Sequence, residues 1–294
     1  MTTLEDLVQE VTLQLLGYTT KTEQVTSLSR DATVDEDRFK VTDIDQISRG
    51  LIEIGDELIR VESVDRSSSI AVVLPNGRGY RGTTAAAYLA GETVTMAPLV
   101  PRFQIKRAIN DTISAVYPSL FGVADTTFTV DDPIKIGWEI PALAEGILDV
   151  RWKDLYGDWQ RVRRWELENS ALTADFASGK ALRITEPIPV SQDVQVVYAT
   201  RPVRMTDVST FEDTGLDESV RELVVLGTLA RLVPALDVAR LSVKTVQADE
   251  LDQPNQLGSA LSVARELRKE FRERLAEERS ILLSRYPGRI HFTR

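Results

Sequence analysis

The sequence predicts an α+β protein, a bundle of four helices into which two antiparallel β-modules are inserted, the second of them sandwich-like. Apolar residues recur at spacings of three and four in four separate stretches, the period of a helix with one buried face. Between those stretches the period falls to two, the mark of half-buried strands. Over 294 residues, 43 % are apolar and 27 % charged, an ordinary globular balance with enough apolar material for a sizeable core.

Leu4, Leu7, Val8, Val11 and Leu15 form the first stripe, and Gly17 is placed to stop that helix. From Thr20 to Pro98 the chain reads as β: 58–64 and 70–74 alternate around the polar turn 65–69, Pro75-Asn76-Gly77 closes the second run, and 92–96 makes another strand. Pro101 suits a first helical position, and Ile105, Ala108, Ile109, Thr112, Ile113, Val116 and Leu120 line the face that follows. Residues 125–205 return to β-character, with strands at 128–130, 147–152, 159–167, 181–184 and 194–198, and a hairpin turn at 155–158. Asp217 is suited to cap a third helix and Asn255 a fourth, which carries Leu257, Leu261, Ala264, Leu267, Phe271, Leu275 and Leu282 until Pro287-Gly288 ends it. The expected domains are therefore a bundle (1–19, 99–122 and 206–286), a small β-module (20–98), a larger one (123–205) and an extended tail (287–294).

Several functions are disfavoured by composition. There is no cysteine, so neither a disulfide nor a thiolate site can form, and His291 is the one histidine, which argues against a histidine-based triad or a zinc centre. The reading is of no enzyme, no cofactor and no metal. Residues 1–258 hold 26 Lys+Arg against 40 Asp+Glu, and 259–294 hold 9 against 5: an acidic body with a basic tail. Such a body is ill-suited to reading nucleic acid, which needs a basic stripe, but does not argue against a surface past which nucleic acid slides without sticking. No leader and no membrane span are expected, hence a soluble protein made in a cytosol.

Each candidate constellation has a plain structural reading beside it. Gly77 to Thr84 is glycine-rich like a phosphate cradle, yet lacks the Gly-Lys-Ser/Thr ending; a loop between strands accounts for it. Trp152, Trp159 and Trp165 suggest either a sugar platform or packing. Arg161, Arg163 and Arg164 suggest phosphate contacts, but pairing with Asp154, Asp158, Glu166 and Glu168 is expected instead. Carboxylate pairs such as Asp131-Asp132 read as solvated loops.

The last helix alternates Arg265, Lys269 and Arg272 with Glu273 and Glu277, a charged face suited to contacts between subunits. Behind it, Arg285, Tyr286, Arg289, Ile290, His291, Phe292 and Arg294 form a basic, aromatic, alternating tail suited to adding a strand to a partner's sheet edge.

Two segments carry a family resemblance. Arg78-Gly79-Tyr80-Arg81-Gly82-Thr83-Thr84-Ala85-Ala86-Ala87, continuing through Tyr88, Ala90-Gly91 and Val94, resembles a pattern seen in structural proteins of tailed bacteriophages, with Tyr88 where that pattern often has His. Residues 107–121 are similar to the second helix of phage head-to-tail connector (adaptor) proteins. The resemblance implies a virion neck protein assembled in the host cytoplasm: a ring, usually of twelve, that docks under the portal protein. Such a ring extends the DNA channel used in genome packaging and ejection and joins the next neck or tail protein. The tail from Arg285 would then be the portal-docking element, and the acidic residues Asp31, Asp35, Glu36, Asp37, Asp43, Asp45, Glu53, Asp56 and Glu57 are expected to line or rim the channel. The alternative is a tail-tip or baseplate protein whose β-modules bind carbohydrate, and a third reading is a hydrolase of cell-wall polymers.

Overall fold

The computed structural model describes residues 2–18, 22–132, 137–244 and 259–286. Among these described residues the fold is mainly β: thirteen strands in three sheets, with four α-helices. This corrects the expected helical bundle with inserted β-modules. The physical reason is that each β-region closes a core of its own, so the sheets are the body of the fold. An apolar stripe on a helix dictates that the face is buried, but not that another helix buries it.

By packing, the chain divides into two compact units. One takes in Asn110–Val224 with the last helix from Lys269 onward, and the other Glu5–Ile109 with Val225–Arg268.

The second of these begins with most of α1 (Leu4–Leu16), whose Leu7, Val8 and Val11 are fully buried while Leu13 is exposed. Its sheet is built from β1 (Gln24–Ser27), β2 (Arg38–Lys40), β3 (Gly50–Ile54), β4 (Glu57–Asp65), β5 (Ile70–Val73) and β6 (Thr93–Met96), in the order β1-β6-β3-β4-β5-β2. Every pairing is antiparallel. Just past the two edge strands, Leu28 bridges Val41, so the sheet curls on itself into a half-barrel and its edges are partly closed. Inside lie Phe39, Ile47, Ile52, Ile54, Ile59 and Val61. The turn 65–69 is tied by Asp65, whose carboxylate accepts from the Ser67 amide and from the Ser67 and Ser68 hydroxyls. Helix α2 (Arg102–Ala115) follows Pro101, as expected, and buries Ile105, Ile109 and Ile113.

The other unit has a four-stranded sheet, β10-β9-β13-β7, and a three-stranded one, β11-β12-β8. In chain order these are β7 (Gly122–Thr129), β8 (Gly137–Glu139), β9 (Gly146–Lys153), β10 (Trp159–Arg161), β11 (Trp165–Glu168), β12 (Ala181–Ile184) and β13 (Asp193–Thr200). They share one core, in which Val150, Val194 and Val196 from the first sheet meet Trp138, Leu182 and Ile184 from the second. The single strand expected over 159–167 is in fact two, one in each sheet. Val162 is fully buried at the corner, its amide bonded to the Val150 carbonyl at 2.9 Å, and the chain changes sheets in the next two residues.

Helix α3 (Arg221–Lys244) begins after a 3-10 turn capped by Asp217, whose Oδ1 accepts from the Ser219 amide at 3.1 Å. Helix α4 spans Ser259–Arg285, so the expected capping residue Asn255 and the residues from Pro287 onward lie outside the described chain.

Candidate functional site

The glycine-rich segment that carries the family resemblance folds around one buried carboxylate. Glu57 opens β4 and is 1 % exposed. It accepts from Arg78 Nε (2.7 Å) and Nη2 (2.9 Å), the Gly79 amide (2.8 Å), the Ala86 amide (3.2 Å) and the Tyr88 hydroxyl (2.8 Å). Burial pushes its carboxyl upward, but the Arg78 pair, with those two amides and the Tyr88 hydroxyl, outweighs burial and holds it below the usual carboxylate range. Tyr88 moves the opposite way, since burial first and Glu57 second both disfavour its phenolate.

Arg78 is equally saturated. Its remaining N–H groups reach the carbonyls of Thr33 (3.2 Å), Glu36 (2.8 Å) and Ala86 (2.7 Å), and its guanidinium lies over the Phe39 ring at 5.0 Å. The backbone permits this because Gly77 takes no side chain: a Cβ there would lie 2.7 Å from the carbonyl oxygens of Arg60 and Leu74. Gly79, Arg81 and Gly82 all adopt positive φ, which wraps the chain back over Glu57. Thr83 is internal too: its hydroxyl accepts from the Leu58 amide and donates to the Tyr80 carbonyl.

A phosphate cradle needs amides pointing outward, and this loop turns them inward. The Gly79 and Ala86 amides go to Glu57, the Gly82 amide to the Gly79 carbonyl and the Thr83 amide to the Tyr80 carbonyl. What remains outside is a fixed surface of Arg81, Thr84, Ala86, Ala87 and Leu89, all exposed.

The acidic residues expected along a channel are mostly engaged within the chain. Glu53 is buried and accepts the Arg102 amide at 2.7 Å, so it caps the start of α2. Asp56 pairs with Arg102 at 3.3 Å and with Lys106, Glu36 pairs with Arg30, Asp45 pairs with Arg66 at 3.3 Å, and Asp43 caps a 3-10 turn. Asp35 and Asp37 are exposed. Only the residues of this group that keep their carboxylates in solvent could face a channel.

The tryptophans do not form one platform. Trp152 stands opposite Gln160 and Trp159 opposite Lys153, so the two indoles leave opposite faces of the sheet. Trp152 and Trp165 pack on the core, and Trp159 is exposed. Cross-strand ion pairing is present, but with a partner the sequence reading missed. Arg161 and Arg151 stand opposite each other, and Asp149 takes both, at 2.8 and 2.7 Å. Glu168 pairs with Arg183 instead.

On α4, Arg265, Lys269, Arg272, Glu273 and Glu277 are all exposed, along one charged face. The same helix is tied to the start of α3 by Arg274 to Glu222 (3.2 Å), Ser219 to Glu278 (3.1 Å) and Arg285 to Asp217 (3.0 Å). Arg285 is thus engaged within the chain and Tyr286 continues the last helical turn. Arg289, Ile290, His291, Phe292 and Arg294 lie outside the described residues. Among the described residues, no cluster of acidic or histidine side chains is placed to hold a metal, and no helix is long and apolar enough to cross a membrane.

No protein-family model matches the chain, and no curated protein matches it.

Proposed function

We propose that this chain is a structural subunit of the head-to-tail connector of a tailed bacteriophage. In this reading it forms a ring, with twelve copies as the family expectation, under the portal protein, continues the channel for double-stranded DNA and receives the next neck or tail protein. The observation that carries the reading is the segment from Arg78 to Val94. It bears the resemblance, and its part between β5 and β6 is a loop closed on a buried Glu57–Arg78–Tyr88 network, with Arg81, Thr84, Ala86, Ala87 and Leu89 exposed. A loop whose donors and acceptors are committed to its own shape is suited to assembly, since a preformed surface loses little freedom on docking. The exposed charged face of α4 supports the same reading, because such a face suits contacts between copies.

Purified protein mixed with the portal, weighed by native mass spectrometry and imaged in negative stain, tests the proposal. A ring attached to the portal is expected. A monomer that ignores the portal at every concentration overturns the reading, and hydrolysis of peptidoglycan abolished by one carboxylate substitution would overturn its structural character. The carbohydrate-binding alternative gains no support from Trp152 and Trp159, which face opposite ways.

A further inference from the structure

The sheet β10-β9-β13-β7 ends in two strands that pair on one side only. Hydrogen bonds fix which main-chain groups these strands turn outward. Just past β7, the Val130 amide bonds the Gln192 carbonyl at 2.9 Å and the Ser191 amide bonds the Val130 carbonyl at 2.8 Å, so the main chain of Val130 faces the β13 side. Direction alternates along a strand, so Val123, Asp125, Thr127 and Thr129 turn their N–H and C=O groups to the open side. At the other edge, the Asp154 amide bonds the Asp158 carbonyl and the Val162 amide bonds the Val150 carbonyl, both at 2.9 Å. Gln160, between them, therefore faces β9, and Trp159 and Arg161 face outward. Among the described residues, no partner meets the main-chain N–H or C=O of any of these six.

An open edge is a template for another strand, and proteins ordinarily blunt it with lysine, proline, a bulge or a cover. β7 has none of these. It runs for eight residues without lysine, arginine or proline, its register with β13 is unbroken, and Asp125, Thr127 and Thr129 are exposed. β10 is shorter, and all three of its residues are exposed.

The two edges are complementary in direction and in face. β7 is antiparallel to β13, β13 to β9 and β9 to β10, so β7 and β10 run in opposite directions. A second copy placed alongside in the same orientation therefore brings its β10 antiparallel to the first copy's β7. Thr127 stands opposite Gln195, Gln195 opposite Arg151 and Arg151 opposite Arg161, so these side chains share the solvent face of the sheet. Asp149 takes both Arg151 and Arg161, which leaves that trio with one positive charge. Asp125, on the same face of β7, accepts from Gln195 at 3.1 Å and meets no cation among the described residues.

We infer that β7 of one copy pairs with β10 of the next, antiparallel, with Arg161 opposite Asp125 and Trp159 opposite Thr127. Each opposed pair then exchanges two main-chain hydrogen bonds, and the sheet runs on from copy to copy. The side chains fit this register: one pair has opposite charges, and the other sets an aromatic ring against a β-branched residue. Two different edges meet, so the contact is head-to-tail, and its repetition closes into a ring or extends as a filament. The inference rests on the proposed reading of the chain as a ring subunit and supplies that reading with a specific contact.

The lack of cysteine allows a direct test. Thr127→Cys protein is mixed with Trp159→Cys protein under mild oxidation. Opposed residues of such a pair lie about 5.5 Å apart between Cα atoms, within disulfide range. A disulfide-linked pair in the mixture, absent from either variant alone, is the expected result. Thr127→Pro removes only an outward N–H, so it should keep the parent's melting curve while sedimentation shows self-association weakened by at least about tenfold. Thr126→Pro removes an amide that bonds β13 and should lower the melting temperature. Equal melting of the two proline variants overturns the assignment of the open edge. An assembled oligomer in which the mixture gives no disulfide overturns this contact and leaves the ring reading standing. Efficient disulfide formation by the Thr127→Cys variant alone overturns the head-to-tail arrangement, since it joins two β7 edges. A chain that stays monomeric at every concentration, with and without portal, overturns both.

Discussion

Arg78 holds Glu57 through two parallel hydrogen bonds, Nε to Oε1 at 2.7 Å and Nη2 to Oε2 at 2.9 Å, across 21 residues of sequence. The pair joins the first residue of β4 to the loop after β5, so the loop has one shape only while both partners are present. A buried ion pair adds little net stability over a well-packed apolar pair, but losing one partner strands the other charge.

Arg78→Ala is accordingly expected to destabilise the fold by about 3–5 kcal/mol, because Glu57 would be left buried and uncompensated. Tyr88→Phe removes one hydrogen bond to the same carboxylate and should cost about 1.5–3 kcal/mol. Urea denaturation of the purified variants measures both. An Arg78→Ala protein as stable as the parent would show that the carboxylate finds another partner.

Stability should also depend on pH through Glu53. Burial raises its carboxyl from 4.5 to about 7, against the smaller downward pulls of the Arg102 amide and guanidinium, while Glu23 and Asp56 push it further up. The folded protein therefore holds this proton more tightly than the unfolded chain. Its contribution is full below pH 4.5 and is lost as pH rises through about 7, a fall of about 3 kcal/mol. Glu57 acts in the reverse sense: its folded value is depressed, so its contribution is present above 4.5 and is lost in acid. Melting temperature against pH should peak in mildly acidic buffer. Glu53→Gln keeps an oxygen to accept the Arg102 amide and carries no charge, so it should flatten the neutral limb of that profile.

Gly77→Ala should destabilise by about 1–3 kcal/mol, since the added methyl meets two carbonyl oxygens and Val73 Cγ1 inside 3.0 Å and the turn must move off β4. Thermal melting reads the effect. Gly82→Ala, where a Cβ meets nothing within 4 Å, isolates the strain of its positive φ from any clash.

Among the tryptophans, Trp138→Ala should cost about 3–5 kcal/mol, for Trp138 is buried and stacks on Phe128 at 5.3 Å. Trp159→Ala should stay within about 1 kcal/mol, because Trp159 is exposed on a short edge strand. Equal losses in a denaturant series would contradict the assignment of faces.

Truncation after Arg285 should leave the melting curve unchanged and abolish attachment to the portal in a pull-down. A truncated chain that still joins the portal would remove the docking role assigned to Arg289, Ile290, His291, Phe292 and Arg294.

Helix faces and turn chemistry were legible from the residues alone. Leu7, Val8, Val11, Ile105, Ile109 and Ile113 recur at helical spacing and are fully or almost fully buried. The 58–64 and 70–74 alternations correspond to β4 and β5, and Asp65 closes the turn between them. The short strands β1, β2 and β8 gave no such signal, because three or four residues hold too little pattern to show a period. At the candidate site, glycine spacing announced a special loop, but nothing in the spacing pointed to Glu57, which sits among eight other acidic residues of the same stretch.

Periodicity is a local quantity. It reports which face of a segment leaves water, over the few residues that one turn or one pleat relates, and so the stripes of α1 and α2 follow from sequence. The identity of what covers a face is a contact between distant residues, and local spacing does not encode it. The tertiary structure alone set Glu57 against Arg78, put Glu53 at the head of α2 forty-nine residues away, and divided 159–167 between two sheets. It also made the protein mainly β. Closed sheet cores formed wherever antiparallel pairing could satisfy backbone hydrogen bonds and bury apolar side chains together, a condition met by the assembled chain and by no single segment of it.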